Sequence, residues 1–223
     1  MSVRHEHLGH IVTTSFSRDW YRFFPSYFSG DQVNRIRTIC ERAEEEEAKT
    51  VGAKTPNHNI RKNKISWHSN EELFGMLRPL LGEVNQVSGW NIDIRAVEPC
   101  QYTIYYGDNN HYHWHSDTIV DDWALQPGAE GVLAGTTRKV SCVVQLSDPE
   151  TYEGGQFEFL KASEREGDLE GDGFMKYEPF AVPEFRQLGT VLFFQSQTFH
   201  RVKPVTSGIR RSLVTWFRGP PWR

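Results

Sequence analysis

The chain has 223 residues, enough for one domain with a core of useful size, or one domain with a helical appendage. Charged residues make up 24% and aromatics 13%, and the formal net charge of -4 offers no overall basic surface for nucleic acid or an acidic membrane, although a local patch can sit inside a balanced total. Three separated cysteines, Cys40, Cys100 and Cys142, suit reduced core thiols better than a disulfide framework or a zinc site.

The opening MSVRHEHLGHIVTTSFSRDW lacks the apolar run of a signal peptide. No later stretch approaches the ~18 apolar residues of a membrane helix, so a soluble cytoplasmic protein without a membrane partner is expected. The first ~90 residues read as helical with interruptions. Ser29 with Gln32 makes a capping box ahead of VNRIRTICERAEEEEAK, where Val33, Ile36, Ile39 and Cys40 share one face. The Glu44–Glu47 run is expected on that helix's wet face or frayed end. A second capping box, Ser69 with Glu72, opens EELFGMLRPLLGEVNQV, which Pro79 should kink.

From about residue 95 the texture changes to short segments rich in aromatic and β-branched residues: IDIRAVEPCQYTIYYG, RKVSCVVQLSD, GGQFEFL, GTVLFFQS and RRSLVTWFRG. Such strands, punctuated by Gly, Asp, Asn and Pro, indicate a sandwich or barrel. Two polar connections, 118–137 and 161–186, have the length of lids or binding loops.

The segment HYHWHSD, 111–117, sets three histidines and an aspartate at alternate positions, hence on one face of a strand. Two histidines and one carboxylate on one face of an octahedron leave three positions open and mark non-haem Fe(II) oxygenases. His115 and Asp117 fit two of these places, and His200, after GTVLFFQSQTF, fits the third. An HxD tripeptide alone is common. The stretch HRVKPVTSGIRRSLVTWFRG adds Arg210, ten residues after His200, whose forked guanidinium suits a ligand carboxylate, with Ser212 on the same face as a further hydroxyl. A cupin reading finds Gly107, His113 and His115 but meets Ile119 and Val120 where it needs a Glu.

Residues 101–218 resemble the iron- and 2-oxoglutarate-dependent dioxygenases of the prolyl 4-hydroxylase type, in the PKHD-type hydroxylase branch, through QYTIY, HYHWHSD, RKVSCVVQLSD, YEGGQFEF and HRVKPVTSGIRRSLVTW. The resemblance implies an α+β fold: a double-stranded β-helix (jelly-roll) core over 93–223, supported by a helical region over 1–92. It implies Fe(II) held by His115, Asp117 and His200, with 2-oxoglutarate and O2 as cosubstrates and ascorbate as a candidate reductant. Arg210 stands where the family binds the distal carboxylate of 2-oxoglutarate, Trp216 where an aromatic walls that pocket, and Ser141 where relatives place a small hydroxyl against the cosubstrate. A tyrosine on the strand before the HxD usually bonds the same carboxylate. Register favours Tyr105, with Gln101 on its face, while hairpin length favours Tyr106.

The activity so implied is hydroxylation of a C–H bond, releasing succinate and CO2. The substrate is a prolyl or other residue of a peptide or protein, or a free amino acid or small metabolite; a non-catalytic metal-binding jelly roll is the reading from another class. Nucleic acid is not expected, because the Arg-x5-Arg of nucleic-acid demethylases is absent: Ser212 stands six before Arg218. His111 and His113 are not needed as ligands and are assigned to the pocket mouth or the hairpin, with His113 or Trp114 as a candidate substrate contact. Trp114, Trp123, Phe199 and Trp216 are expected to keep water out.

Overall fold

The computed structural model describes residues 2–7, 10–15, 20–50, 53–119, 122–163 and 176–222. Strands β1 (Ser2–His7) and β2 (His10–Ser15) form a small antiparallel sheet of their own. Next come β3 (Tyr21–Phe24), helix α1 (Gly30–Cys40), β4 (Glu46–Glu47), β5 (Arg61–Lys62), β6 (Lys64–His68) and helix α2 (Glu71–Val87). The β-rich part follows with β7 (Ala96–Val97), β8 (Cys100–Tyr106), β9 (Asn110–His115), β10 (Thr137–Gln145), β11 (Tyr152–Gly154), β12 (Phe157–Ser163), β13 (Lys176–Ala181), β14 (Val191–Gln195) and β15 (His200–Gly219).

Two sheets share the last strand. The major sheet runs β3-β14-β10-β15-β8-β6-β4, and the second runs β13-β12-β15-β9-β5, with every ladder antiparallel. Residues 209–219 of β15 pair with β8 and β10, whereas His200–Val205 pair with β9 and β12. Gly208 sits between these halves at φ +70°, and a Cβ there would lie 2.0 Å from the Thr151 carbonyl oxygen, so only glycine fits. This is the expected jelly-roll arrangement in an α+β fold.

Side-chain alternation divides the major sheet into two faces. Cys100, Tyr102, Ile104, Cys142, Val144, Phe193, Leu213 and Phe217 pack with Val33, Ile36 and Cys40 of α1 and with Leu73, Leu77, Leu80 and Val84 of α2. The other face looks toward the second sheet, where Tyr105, Val143, Phe157, Phe159, Leu192 and Phe194 form a second core. All three cysteines are free and buried.

Several local expectations change. The first 92 residues supply two helices, but β3, β4, β5 and β6 also join the sheets, so that region is not purely helical. The Ser29–Gln32 capping box forms. At α2 the cap is Asn70, one residue beyond Ser69, whose side-chain oxygen accepts from the backbone N–H groups of Glu72 and Leu73. The α2 helix runs through Pro79 without a break. Glu46 and Glu47 form a short edge strand against Lys64 and Ile65, outside α1, which ends at Cys40. The connection 161–186 contains β13, which pairs with β12, and a 3-10 turn at Pro183–Arg186; residues 164–175 of it, like 120–121 of the first connection, lie outside the described residues. No helix among the described residues is long and apolar enough to cross a membrane.

A buried charge network ties the first connection to the barrel. Glu98 accepts from Arg138 Nε at 2.8 Å and Nη2 at 2.6 Å, and from Arg218 Nη1 at 2.5 Å. Arg218 Nη2 donates to Asp122 at 2.5 Å, and its Nε donates to Thr136 Oγ1. Two guanidinium groups and two carboxylates thus balance, and each is hydrogen-bonded, which buried ions require. Arg218→Met leaves Asp122 without its cation and half-strips Glu98. It is expected to lower unfolding free energy in urea by about 3–5 kcal/mol; a change below about 1 kcal/mol would contradict this account of the network.

Candidate metal centre and cavity

Between the two sheets lies a cavity of about 560 Å³. His115, at the end of β9, and His200, at the start of β15, are directly paired across the second sheet. Their rings lie 4.1 Å apart, centroid to centroid. Asp117, two residues past β9, turns in so that Oδ1 is 3.9 Å from His115 Nε2 and Oδ2 is 3.7 Å from His200 Nε2. One ligand atom from each of the three residues lies within 4.8 Å of the others, which suits a single ion.

Both rings are aimed by their other nitrogen. His115 Nδ1 bonds the His113 carbonyl at 2.7 Å, and His200 Nδ1 bonds the Thr198 carbonyl at 2.9 Å. A carbonyl only accepts, so each Nδ1 carries the proton and each Nε2 presents a lone pair to the centre. Burial, reinforced by His200, pushes the His115 pKa down to about 3, which keeps that imidazole neutral. For Asp117, burial pushes the pKa up, but the electrostatic pull of the facing His200 and His115 rings and of the Arg138 guanidinium, with the Ser141 hydrogen bond, outweighs it and holds the carboxyl below its usual range.

The alternation read into HYHWHSD does not survive. Opposite β9, Val202 pairs with Tyr112 while His200 pairs with His115, so the register gains a residue and the strand bulges. Parity flips across the bulge. Tyr112 therefore joins His115 inside, stacked at 3.4 Å between centroids, and His113 faces solvent. His111 bonds the Asn109 carbonyl in the hairpin. Trp114 packs under Arg201, while Trp123 and Phe199 are about half exposed and away from the cavity wall; of the four expected water-excluding aromatics, only Trp216 lines it.

Arg210, Ser212 and Trp216 project from alternate positions of β15 into the cavity, and Gln101 and Tyr105 project from β8 beside them. Arg210 is 1% exposed, and among the described residues its guanidinium has no hydrogen bond or ion pair; the rings of Tyr105 and Phe185 lie near it. A buried, uncompensated guanidinium is costly unless an anion meets it. Gly155 gives it room, since a Cβ there would come within 2.9 Å of Arg210 Cδ. Tyr105 is buried, and burial raises its pKa against the opposing pull of Arg61 and Arg210, so its hydroxyl stays a donor. Tyr106 points the other way and donates to Glu45 at 3.1 Å. Trp216 has a buried Nε1–H without an acceptor among the described residues.

Ser141 stands elsewhere than expected. It is not part of the cavity wall; its hydroxyl donates to Asp117 Oδ2 at 2.7 Å and meets Ser196 Oγ at 3.0 Å. Its contact is with the carboxylate and not with the space a cosubstrate would fill. Arg138 adds a bond to the Asp117 carbonyl at 3.4 Å and lies 3.8 Å over the Trp216 ring. Arg61, Tyr112, Arg138 and Trp67 also line the cavity and were not singled out from the sequence. Arg61 lay in a region read as helical, and only a bulge brings Tyr112 inside.

The donor set fits a divalent iron with open positions, and the orphaned Arg210 at the cavity wall fits a ligand carboxylate. Comparisons agree. The family model described as the 2OG-Fe(II) oxygenase superfamily matches residues 100–218. A PKHD-type hydroxylase of Azoarcus sp. strain BH72 is 31% identical over 143 residues, covering 63% of this chain and 52% of that protein. The chain thus spans about half the length of that relative. A Pseudomonas putida prolyl-4-hydroxylase has a similar fold, with TM-score 0.62, 21% identity and coverage of 91% and 94% of the two chains. A Trichoplax adhaerens prolyl hydroxylase, solved with a peptide fragment of hypoxia inducible factor, gives TM-score 0.59, 18% identity and coverage of 89% and 83%.

The neutral His115 makes the metal-free protein acid-sensitive. Below pH 6.5 the unfolded chain binds a proton at this site that the folded chain refuses, so stability is full above 6.5 and falls as pH drops toward about 3. Between about pH 4.5 and 6, His115→Gln is expected to reduce the slope of unfolding free energy against pH by up to about 1.4 kcal/mol per unit. Superimposable slopes for the two metal-free proteins would contradict it.

Proposed function

We propose that the chain, which belongs to the 2OG-Fe(II) oxygenase superfamily, is a dioxygenase that uses Fe(II), 2-oxoglutarate and O2 to hydroxylate a C–H bond of a prolyl or other residue in a peptide or protein. The observation that carries this reading is the pairing, in one cavity, of a His-Asp-His cluster with a buried guanidinium that meets no anion among the described residues. When bound, iron and 2-oxoglutarate supply the O2 activation that places a hydroxyl on carbon and leaves succinate and CO2. Ascorbate is the proposed reductant for the metal.

The chain's own residues do the positioning. His115, Asp117 and His200 would hold the metal from one side and leave the other open. Ser141 and Arg138 fix Asp117, the first at the carboxylate and the second at the backbone, so the carboxylate keeps its direction as the ion binds. Arg210 takes the distal carboxylate of 2-oxoglutarate in a charge-assisted pair, and Tyr105 donates to the same group. Ser212 and Gln101 offer further polar contacts on that wall, and Trp216 closes it. Tyr112, Phe157, Val143, Val202 and Val214 complete an apolar lining that excludes water. A peptide substrate is supported by the peptide-bound Trichoplax prolyl hydroxylase, whose fold this chain shares.

The test is succinate formation by Fe(II)-loaded protein supplied with 2-oxoglutarate and air. Arg210→Gln is expected to raise KM for 2-oxoglutarate about 10- to 100-fold, the worth of a charged hydrogen bond, with a smaller effect on kcat. Unchanged KM would remove Arg210 from the cosubstrate site, and no succinate from the wild-type protein would contradict the activity.

A further inference from the structure

The cavity is basic inside an acidic chain. Among the described residues, its wall carries Lys49, Arg61, Arg138 and Arg210 against a single carboxylate, Asp117. Arg138 is neutralised from behind by Glu98. A ferrous ion, 2-oxoglutarate as a dianion, Asp117 and Arg210 would together cancel. Arg61 is left over.

Arg61 is 7% exposed and held from three directions, by donation to Asn63 Oδ1 at 2.9 Å, the Lys49 carbonyl at 3.2 Å and Gln101 Oε1 at 2.8 Å. These acceptors are neutral: they orient the guanidinium without offsetting its charge, and three bonds leave two of its five N–H groups for another partner. No ion pair reaches it among the described residues. Its Cζ lies 4.5 Å over the Tyr112 ring, which stacks in turn on His115, so the cation sits one aromatic ring away from a metal ligand. Lys49 stands exposed at the mouth, and the rim beside it is apolar, with Ile60 and Trp67 lining the cavity while 40% and 45% exposed.

We infer that Arg61, with Lys49 at the entrance, forms a second anion subsite, and that the primary substrate carries a carboxylate a short apolar distance from the carbon that is hydroxylated. Arg210 serves the cosubstrate and Arg61 the substrate. The carboxylate belongs either to a chain end or free acid, or to an acidic side chain next to the target residue.

This subsite rests on the functional proposal above, so calorimetry of 2-oxoglutarate with Mn(II)-loaded protein comes first. No binding there would overturn that proposal and this subsite with it. With 2-oxoglutarate bound, the probes are N-acetyl-L-proline, acetyl-Pro-Asp-amide and the uncharged N-acetyl-L-prolinamide. The wild-type protein is expected to bind at least one carboxylate probe ten times or more tighter than the amide. Tighter N-acetyl-L-proline assigns the anion to a free or terminal carboxylate, and tighter acetyl-Pro-Asp-amide to a side chain. Arg61→Met should abolish the preference while keeping 2-oxoglutarate binding, and Arg61→Lys should restore part of it. The same preference in Arg61→Met, or no carboxylate probe bound at millimolar concentration by wild-type protein that binds 2-oxoglutarate, would overturn the subsite and leave the functional proposal standing.

Discussion

The whole arrangement depends on one strand belonging to two sheets. β15 pairs with β9 and β12 through its first residues and with β8 and β10 through its last. Backbone hydrogen bonds on both sides leave it almost no freedom to slide, since a shift of one residue would turn every side chain to the opposite face. His200 is thereby fixed against His115, and Arg210, Ser212 and Trp216 are fixed on one wall. The spacing between the metal cluster and the guanidinium is a property of backbone pairing and not of flexible side chains. Gly208 makes the passage from one sheet to the other possible, because no side chain fits beneath the Thr151 carbonyl.

Charge is handled in two ways by this frame. Around Glu98 every buried ion has its opposite, and the cluster works as a fastening between the final strand and the segment that follows Asp117. In the cavity the opposite holds: among the described residues, Arg210 and Arg61 are buried without a carboxylate partner. Buried charges are stable when paired, so unpaired ones beside a cavity mark where anions are to arrive. The contrast between the two clusters separates charges that serve stability from charges that serve binding.

Much of this was legible in the sequence. His115, Asp117 and His200 were readable because HxD and a histidine after an apolar strand are local patterns, and Arg210 because β15 keeps its period. Tyr105 was readable as facing inward because β8 is regular, and the structure puts Tyr106 on the opposite face. The misses have physical reasons. A bulge is invisible to a period-two reading, so His113 was placed with His115 and Tyr112 was overlooked. The short strands β5 and β6 bury too few residues to show alternation, which hid Arg61. Ser141 was assigned by analogy to the cosubstrate, whereas its strand position sets it on Asp117. Asn70 displaced Ser69 as the cap because both are good capping residues one position apart.

The central claim is that one cavity binds ferrous iron and 2-oxoglutarate together. The most direct measurement is an anaerobic titration of the Fe(II)-loaded protein with 2-oxoglutarate, followed by visible absorption. A saturable metal-to-ligand charge-transfer band that is lost in Asp117→Ala is the result this account requires. A folded wild-type protein that binds Fe(II) yet develops no band would contradict it and leave a metal-binding jelly roll without the chemistry.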